Sequence, residues 1–229
     1  MKMPTILKKI TSAAITGFYN AEDSVVKALR NLRCKLLRKR LVNKSPTIIS
    51  VNCIGGVIYH NLGLRFNSPT INLYFSNEDF FNFVEDLQGF LETELIEVSE
   101  AKEDFPVGRL EYNGKKVDVF FMHYETFEDA KNKWDERKKR VDFTNIYIMH
   151  MITEVRESDI ERFEKLPFKN KMMIANANPC NSKYVYTHKV FSREDYKTGQ
   201  ILHFKSKRSI KRYLDDINYV RFLNCGVDR

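Results

Sequence analysis

Cysteine is scarce in this chain, four in 229 residues, and the four stand apart at positions 34, 53, 180 and 225. There is no CxxC pair and no histidine pair at ligand spacing, so the usual zinc sites are not expected and no metal is called for. Nine glycines and six prolines are too few and too scattered for a flexible linker or a collagen-like repeat. No apolar run approaches the roughly 18 residues of a membrane span. Lys8 and Lys9 interrupt the first apolar residues, so no secretory leader is expected. The GxGxxG, Walker and GxSxG patterns are absent, as is the DxD of metal-dependent glycosyltransferases. These absences point to a cytoplasmic protein with reduced thiols, and they give no indication of a cofactor.

What is present suffices for one large core: 43% apolar and 13% aromatic residues. The net charge of +8 is concentrated. Residues 1–44 hold eleven Lys/Arg against only Glu22 and Asp23, which leaves residues 45–229 close to neutral. This divides the chain into a basic N-terminal arm and a single α/β domain, and it makes nucleic acid an unexpected partner, since no basic face remains for the domain itself. Within the arm, residues 24–42 read as a helix with Val25, Ala28, Leu29, Leu32 and Leu36 on one narrow stripe. Two readings stay open. The stripe packs on the domain while the charges are solvated, or the helix lies on an anionic surface at the inner face of the membrane.

Beyond Pro46, the pattern alternates between strands and helices. Strands are expected at Thr47–Val51, Thr70–Phe75, Asn145–Met151, Lys171–Ala175 and Tyr184–His188. Leu110–Tyr112 and Val117–Met122 flank Asn113-Gly114, the dipeptide of a tight hairpin. Helices are expected over 77–92 after the Ser76 cap, over 126–139 after Thr126, at the Ser158…Glu161 capping box, and over 209–223. Repeated strand–cap–helix units with apolar strands imply a layered α/β fold: a mostly parallel sheet, one β-hairpin, helices on both faces and the basic amphipathic helix in front.

Ligands of such sheets collect beyond the carboxyl ends of strands, which singles out Asn52-Cys53-Ile54-Gly55-Gly56. Gly55 and Gly56 would let backbone approach a ligand, and a helix beginning at Gly56 would favour an anion and a reactive Cys53 thiolate. The alternative is a small buried cysteine at an ordinary turn. His60 lies seven residues on, about 10.5 Å along a helix and so beyond hydrogen-bond reach of Cys53; it either meets a ligand or helps end a helix capped by Gly63. His123 follows the hairpin and precedes the Thr126 cap, placed as a general base or as a structural imidazole. Arg137 and Arg140, neighbours on one helix beside Trp134, would hold phosphate, or simply form a solvated face that Trp134 anchors.

Asn52-Cys53-Ile-Gly-Gly56, Tyr59-His60-Asn-Leu-Gly-Leu64, Asn67-Ser-Pro-Thr70, His123-Tyr124, Lys133-Trp134…Arg137…Arg140 and Leu166-Pro-Phe-Lys-Asn-Lys171 occur in the order of an uncharacterised bacterial family commonly labelled exopolysaccharide or capsule biosynthesis proteins. The chain resembles that family over about residues 44–225. It departs from it at Val51, where Asn is usual, and at Glu136, where Arg is usual. The resemblance implies a place among surface-polysaccharide enzymes. With Cys53 at a strand end, His123 near the same edge and the basic helix, the expected activity is that of a transferase moving an acyl group or a sugar-linked phosphate, with an anionic or lipid-linked sugar as substrate. Cys53 and His123 would then be the reacting groups, with Asn52, Gly55, Gly56, His60, Asn67, Thr70, Arg137 and Arg140 around the substrate. The competing reading is a non-catalytic accessory protein that docks on a membrane-associated assembly complex.

Overall fold

The computed structural model describes residues 5–197 and 199–227, with side chains from Asp23 onward. A long helix, α1 (Thr5–Arg40), precedes β1 (Thr47–Ser50) and α2 (Ile54–Leu62). Two short helices follow, α3 (Asn77–Glu85) and α4 (Leu87–Glu92), then β2 (Ile96–Glu97), β3 (Val107–Tyr112) and β4 (Lys115–Phe120). The second half runs α5 (Phe127–Lys138), β5 (Ile146–Ile152), α6 (Glu157–Lys165), β6 (Asn170–Ala175), β7 (Val185–Thr187) and α7 (Tyr219–Cys225). Strands β1, β5, β6 and β7 form an all-parallel sheet in the order β1-β5-β6-β7. The α/β fold with one hairpin and an N-terminal helix is therefore present, but the hairpin belongs to a second, antiparallel sheet, β2-β3-β4.

Strand alternation sorts the parallel sheet's side chains into two cores. Ile49, Ile148 and Met173 face a core shared with α3, α4, α5, α6 and the antiparallel sheet, dense in Phe80, Phe83, Phe90, Phe121, Phe163 and Trp134. Ile48, Met149 and Ile174 face a second core shared with α2 and α7. Helices thus cover both faces, which is why the strands read as continuous apolar runs.

Several expected elements are re-cut by tertiary packing. Residues 70–75 form no strand: Asn72 has φ 62°, and only Tyr74 bridges to Phe120. That segment joins the two sheets, because the Phe75 amide donates to Val51 O (2.9 Å) while Tyr74 and Phe120 exchange backbone bonds. The 77–92 helix breaks at Asp86, whose carboxylate takes the Lys115 ammonium at 3.0 Å, and α4 turns so that Gly89 seats against the Tyr112 ring, where a Cβ would lie 2.3 Å away. Helix α6 starts earlier than its expected box, with the Arg156 amide donating to Asp159 Oδ2 at 3.0 Å. The 209–223 helix reduces to α7, capped by Asn218, preceded by a 3-10 turn at Tyr213–Asp216. The Asn113-Gly114 turn takes positive φ at both residues (49° and 74°), and the Ser76 and Thr126 caps each accept the amide three residues on.

Helix α1 does not pack its apolar stripe on the domain, which goes against the first of its two readings. The half-buried face is Asp23, Val26, Arg30, Arg33, Cys34 and Leu37, while Val25, Leu29, Leu32 and Leu36 are exposed. The reason is polar: Arg30 donates to Ser209 O and Lys207 O (2.9 Å each) and stacks on Phe204, and Arg33 pairs with Asp215 at 3.1 Å. Guanidinium groups bury well against rings and carbonyls, and this anchoring turns the apolar stripe outward. Among the described residues no helix is long and apolar enough to cross a membrane.

His150 of β5 is fully buried between the Phe80, Phe81 and Phe163 rings, with Nε2 2.7 Å from Asn77 Oδ1 and no partner for Nδ1. Burial drags its pKa from 6.5 down to about 3. Because the unfolded chain protonates more readily, the stability tied to neutral His150 is complete above pH 6.5 and falls as pH drops toward 3. Denaturant titrations should lose up to about 1.4 kcal/mol per pH unit to this one group across that window. His150→Phe should flatten the slope accordingly; an unchanged slope would contradict the assignment.

Candidate functional site

The turn after β1 is set by side chains rather than by glycine alone. Ser50 Oγ donates to Asn52 O (2.7 Å) and accepts the Gly55 amide (3.2 Å), while Asn52 Oδ1 accepts the Ile54 amide (3.1 Å). These bonds use two of the free amides at the start of α2 and bring the helix against the strand. A Cβ on Gly55 would lie 2.6 Å from Ser50 Oγ, so this glycine allows close helix–strand packing. Gly56, in contrast, lies on the wall of a cavity.

That cavity, about 440 Å³, falls within the roughly 300–1,000 Å³ of small-molecule sites. Cys53, Gly56, Val57 and His60 line it from the β1–α2 turn and α2, Phe66 and Asn72 from the following loop, and His123 from the turn after β4. Leu202 and Arg212 close it from the C-terminal segment. Cys53, His60 and His123 therefore share one concave surface. The route differs from the expected one: β4 lies outside the parallel sheet, and it is the Tyr74–Phe120 bridge that carries His123 toward the carboxyl end of β1.

Cys53 is the N-cap of α2 with no side-chain cap bond; its Sγ lies 3.9 Å from Leu73 O. Burial pushes the thiol above its ordinary 9.0, with hydrogen bonds to its own backbone and to Leu73 opposing more weakly. This is the reverse of the activated thiolate expected of a helix N-terminus, because desolvation outweighs these hydrogen bonds. Arg212 is the cation of the cavity. Burial lowers its pKa, Asp215 raises it, and its guanidinium donates to Leu202 O and lies 4.1 Å from the Phe204 ring centroid. Arg30 of α1 lies over the same ring at 3.5 Å, so α1 helps to fix the Arg212 wall.

The remaining sequence candidates do not line this cavity. Thr70 is buried, its Oγ1 accepting the Ser50 amide at 3.0 Å, and Asn67 donates to Ser45 Oγ at 2.8 Å. Asn52, besides its turn bond, reaches Met151 Sδ at 3.7 Å. Arg137 donates to Tyr124 Oη (2.7 Å) and lies over Phe66, and Arg140 donates to Phe66 O (3.0 Å) and pairs with Glu136. Arg137 of α5 and Arg140 just beyond it both brace the loop that carries Phe66 and Asn72. Sequence reasoning missed Asn72 and Arg212. Asn72 left a signal, since it is the one poor strand former in Thr70–Phe75; Arg212 sits in a run of basic residues where nothing marks it. Among the described residues no three of His, Cys, Asp and Glu converge as metal ligands.

Residues 24–224 match the family described as Domain of unknown function (DUF1919). A relative from Haemophilus influenzae, itself an uncharacterized protein, is 33% identical over 208 residues, which cover 90% of this chain and 98% of the relative.

The raised thiol gives a direct expectation. With an alkylating reagent and mass-spectrometric mapping, Cys53 should react more slowly than exposed Cys225 at neutral pH, and its rate should still be climbing above pH 9. A plateau for Cys53 below pH 9 would contradict the desolvated environment.

Proposed function

The chain belongs to the DUF1919 family, and we propose that it is a transferase acting in bacterial surface-polysaccharide synthesis, with its active centre in the cavity shared by Cys53, His60, His123 and Arg212. The observation that carries the reading is this convergence of two imidazoles, a thiol and a half-buried guanidinium from three separate segments on one cavity. The polysaccharide context comes from the motif resemblance set out above, and α/β architecture alone would not supply it.

Of the two transfers considered, that of a sugar-linked phosphate suits the site better than acyl transfer through the thiol. A thiol held neutral by burial is a poor nucleophile. Arg212 and the N-terminal end of α2 at Gly56 offer positive potential to an anionic donor, while His123 accepts the proton of the acceptor hydroxyl. The acceptor oxygen bonds to phosphorus as the bridging P–O bond to the departing phosphate breaks, and that leaving group keeps the bonding pair. In this scheme Cys53 is a wall and a weak donor, His60 the second polar contact, and Arg137 and Arg140 positioning residues that hold the Phe66–Asn72 loop.

The accessory reading draws on a different observation, the exposed apolar stripe of α1, and predicts that the cavity is dispensable. Cys53→Ala, His123→Ala and Arg212→Gln, each checked for parent-like thermal unfolding, separate the two when surface-polysaccharide composition is assayed in cells. We expect His123→Ala and Arg212→Gln to lose product by roughly 10²-fold or more, and Cys53→Ala to retain most of it. Parent-like product from both His123→Ala and Arg212→Gln would overturn the transferase.

A further inference from the structure

The outward stripe of α1 is an unusual use of four large apolar side chains. Val25, Leu29, Leu32 and Leu36 are between 45% and 59% exposed, although the same helix has an opposite face docked on the domain. Single exposed leucines need no explanation; a continuous row of four does. At 100° per residue the row spans a narrow arc, bordered by Ala28, Lys35 and Lys39 on one side and by Arg40 on the other. From Ser24 to Arg40 the helix carries no Asp or Glu. Asp23, just before, faces Lys207 of the domain at 3.6 Å.

The geometry points to an anionic lipid surface as the occupant of this face. Two features favour lipid over a second copy of the chain. The 4-3-4 spacing of the row would suit a paired helix, but such pairing brings Lys35 and Arg40 to the flanking positions of both helices, with no acid from Ser24 to Arg40 of either to answer them. An anionic bilayer answers them all at once, and the apolar row then enters the boundary between headgroups and acyl chains while the lysines stay at the phosphates. The docking face is held by Arg30, Arg33 and Arg38 through protein acceptors, so adsorption leaves the fold intact. Arg30 also stacks on the Phe204 ring that Arg212 shares, so the helix that meets the membrane is the one that steadies a wall of the cavity. The lipid-facing role stands independently of the reaction assigned to the cavity.

The experiment is co-sedimentation of the full chain with vesicles of phosphatidylcholine alone and of equimolar phosphatidylcholine and phosphatidylglycerol. The anionic vesicles should bind, with salt weakening them, and the neutral vesicles should bind far less. Leu29→Ser/Leu32→Ser should weaken binding roughly thirty-fold, and Lys35→Gln/Lys39→Gln roughly five-fold per lysine. All four positions are exposed, so circular dichroism and thermal midpoint should match the parent. Three results would overturn the proposal: equal binding to both vesicles, absence of binding to either, or double variants that sediment like the parent. A concentration-dependent dimer in vesicle-free buffer that Leu29→Ser/Leu32→Ser disperses would overturn it too, by assigning the stripe to a second copy. The cavity variants should sediment like the parent, so that failure of the lipid face and failure of the transferase are read separately.

Discussion

Strand β1 is buried along its whole length yet has a strand neighbour on one side only. Its outer backbone groups face neither water nor another strand, and each would cost about 1–3 kcal/mol if left unmet. Two side chains meet them. Tyr59 Oη accepts the Ile48 amide at 2.9 Å and donates to Pro46 O at 2.8 Å; Thr70 Oγ1 accepts the Ser50 amide at 3.0 Å. Burial raises the Tyr59 phenol far above its ordinary range, so it remains a proton-bearing donor. Tyr59 belongs to α2 and Thr70 to the loop that follows, so satisfying the edge of β1 fixes both against the sheet.

The cavity follows from that arrangement. With α2 pinned through Tyr59 and closely approached through Gly55, Cys53, Gly56 and His60 take their places on one wall. With the 66–72 loop pinned through Thr70, and braced from behind by Arg137 and Arg140, Phe66 and Asn72 take theirs. The same loop runs on to bridge the antiparallel sheet and deliver His123. Several residues that look like ligand contacts in the sequence are thus the framework on which the contacts are mounted. The one strong cation comes from a part of the chain that no motif marks.

Local chemistry was legible where local chemistry decides. The Asn113-Gly114 hairpin, the Ser76 and Thr126 caps and the apolar strands β5 and β6 stand close to where residue patterns put them, because positive φ, a capping hydroxyl or a β-branched run acts within a few residues. What escaped depends on partners distant in sequence. The Thr70–Phe75 run has strand-like residues but serves as a bridge between sheets. The 209–223 periodicity is helical, yet it is interrupted where Arg30 and Arg33 of α1 demand carbonyl and carboxylate partners from it. That same demand turned the apolar stripe of α1 outward, against the rule that leucines seek the core. Of the site, the sequence marked Cys53, Gly56, His60 and His123 through strand-end position, but not the burial that raises the thiol, nor Arg212.

The dependence on the β1 edge can be measured at single amides by native-state hydrogen exchange in nuclear magnetic resonance. The account predicts that Ile48 and Ser50 exchange only through global unfolding. In Tyr59→Phe, Ile48 should lose roughly ten-fold or more of its protection, with a smaller loss along α2. Rapid exchange of both amides in the parent, or unaltered Ile48 protection in Tyr59→Phe, would contradict it.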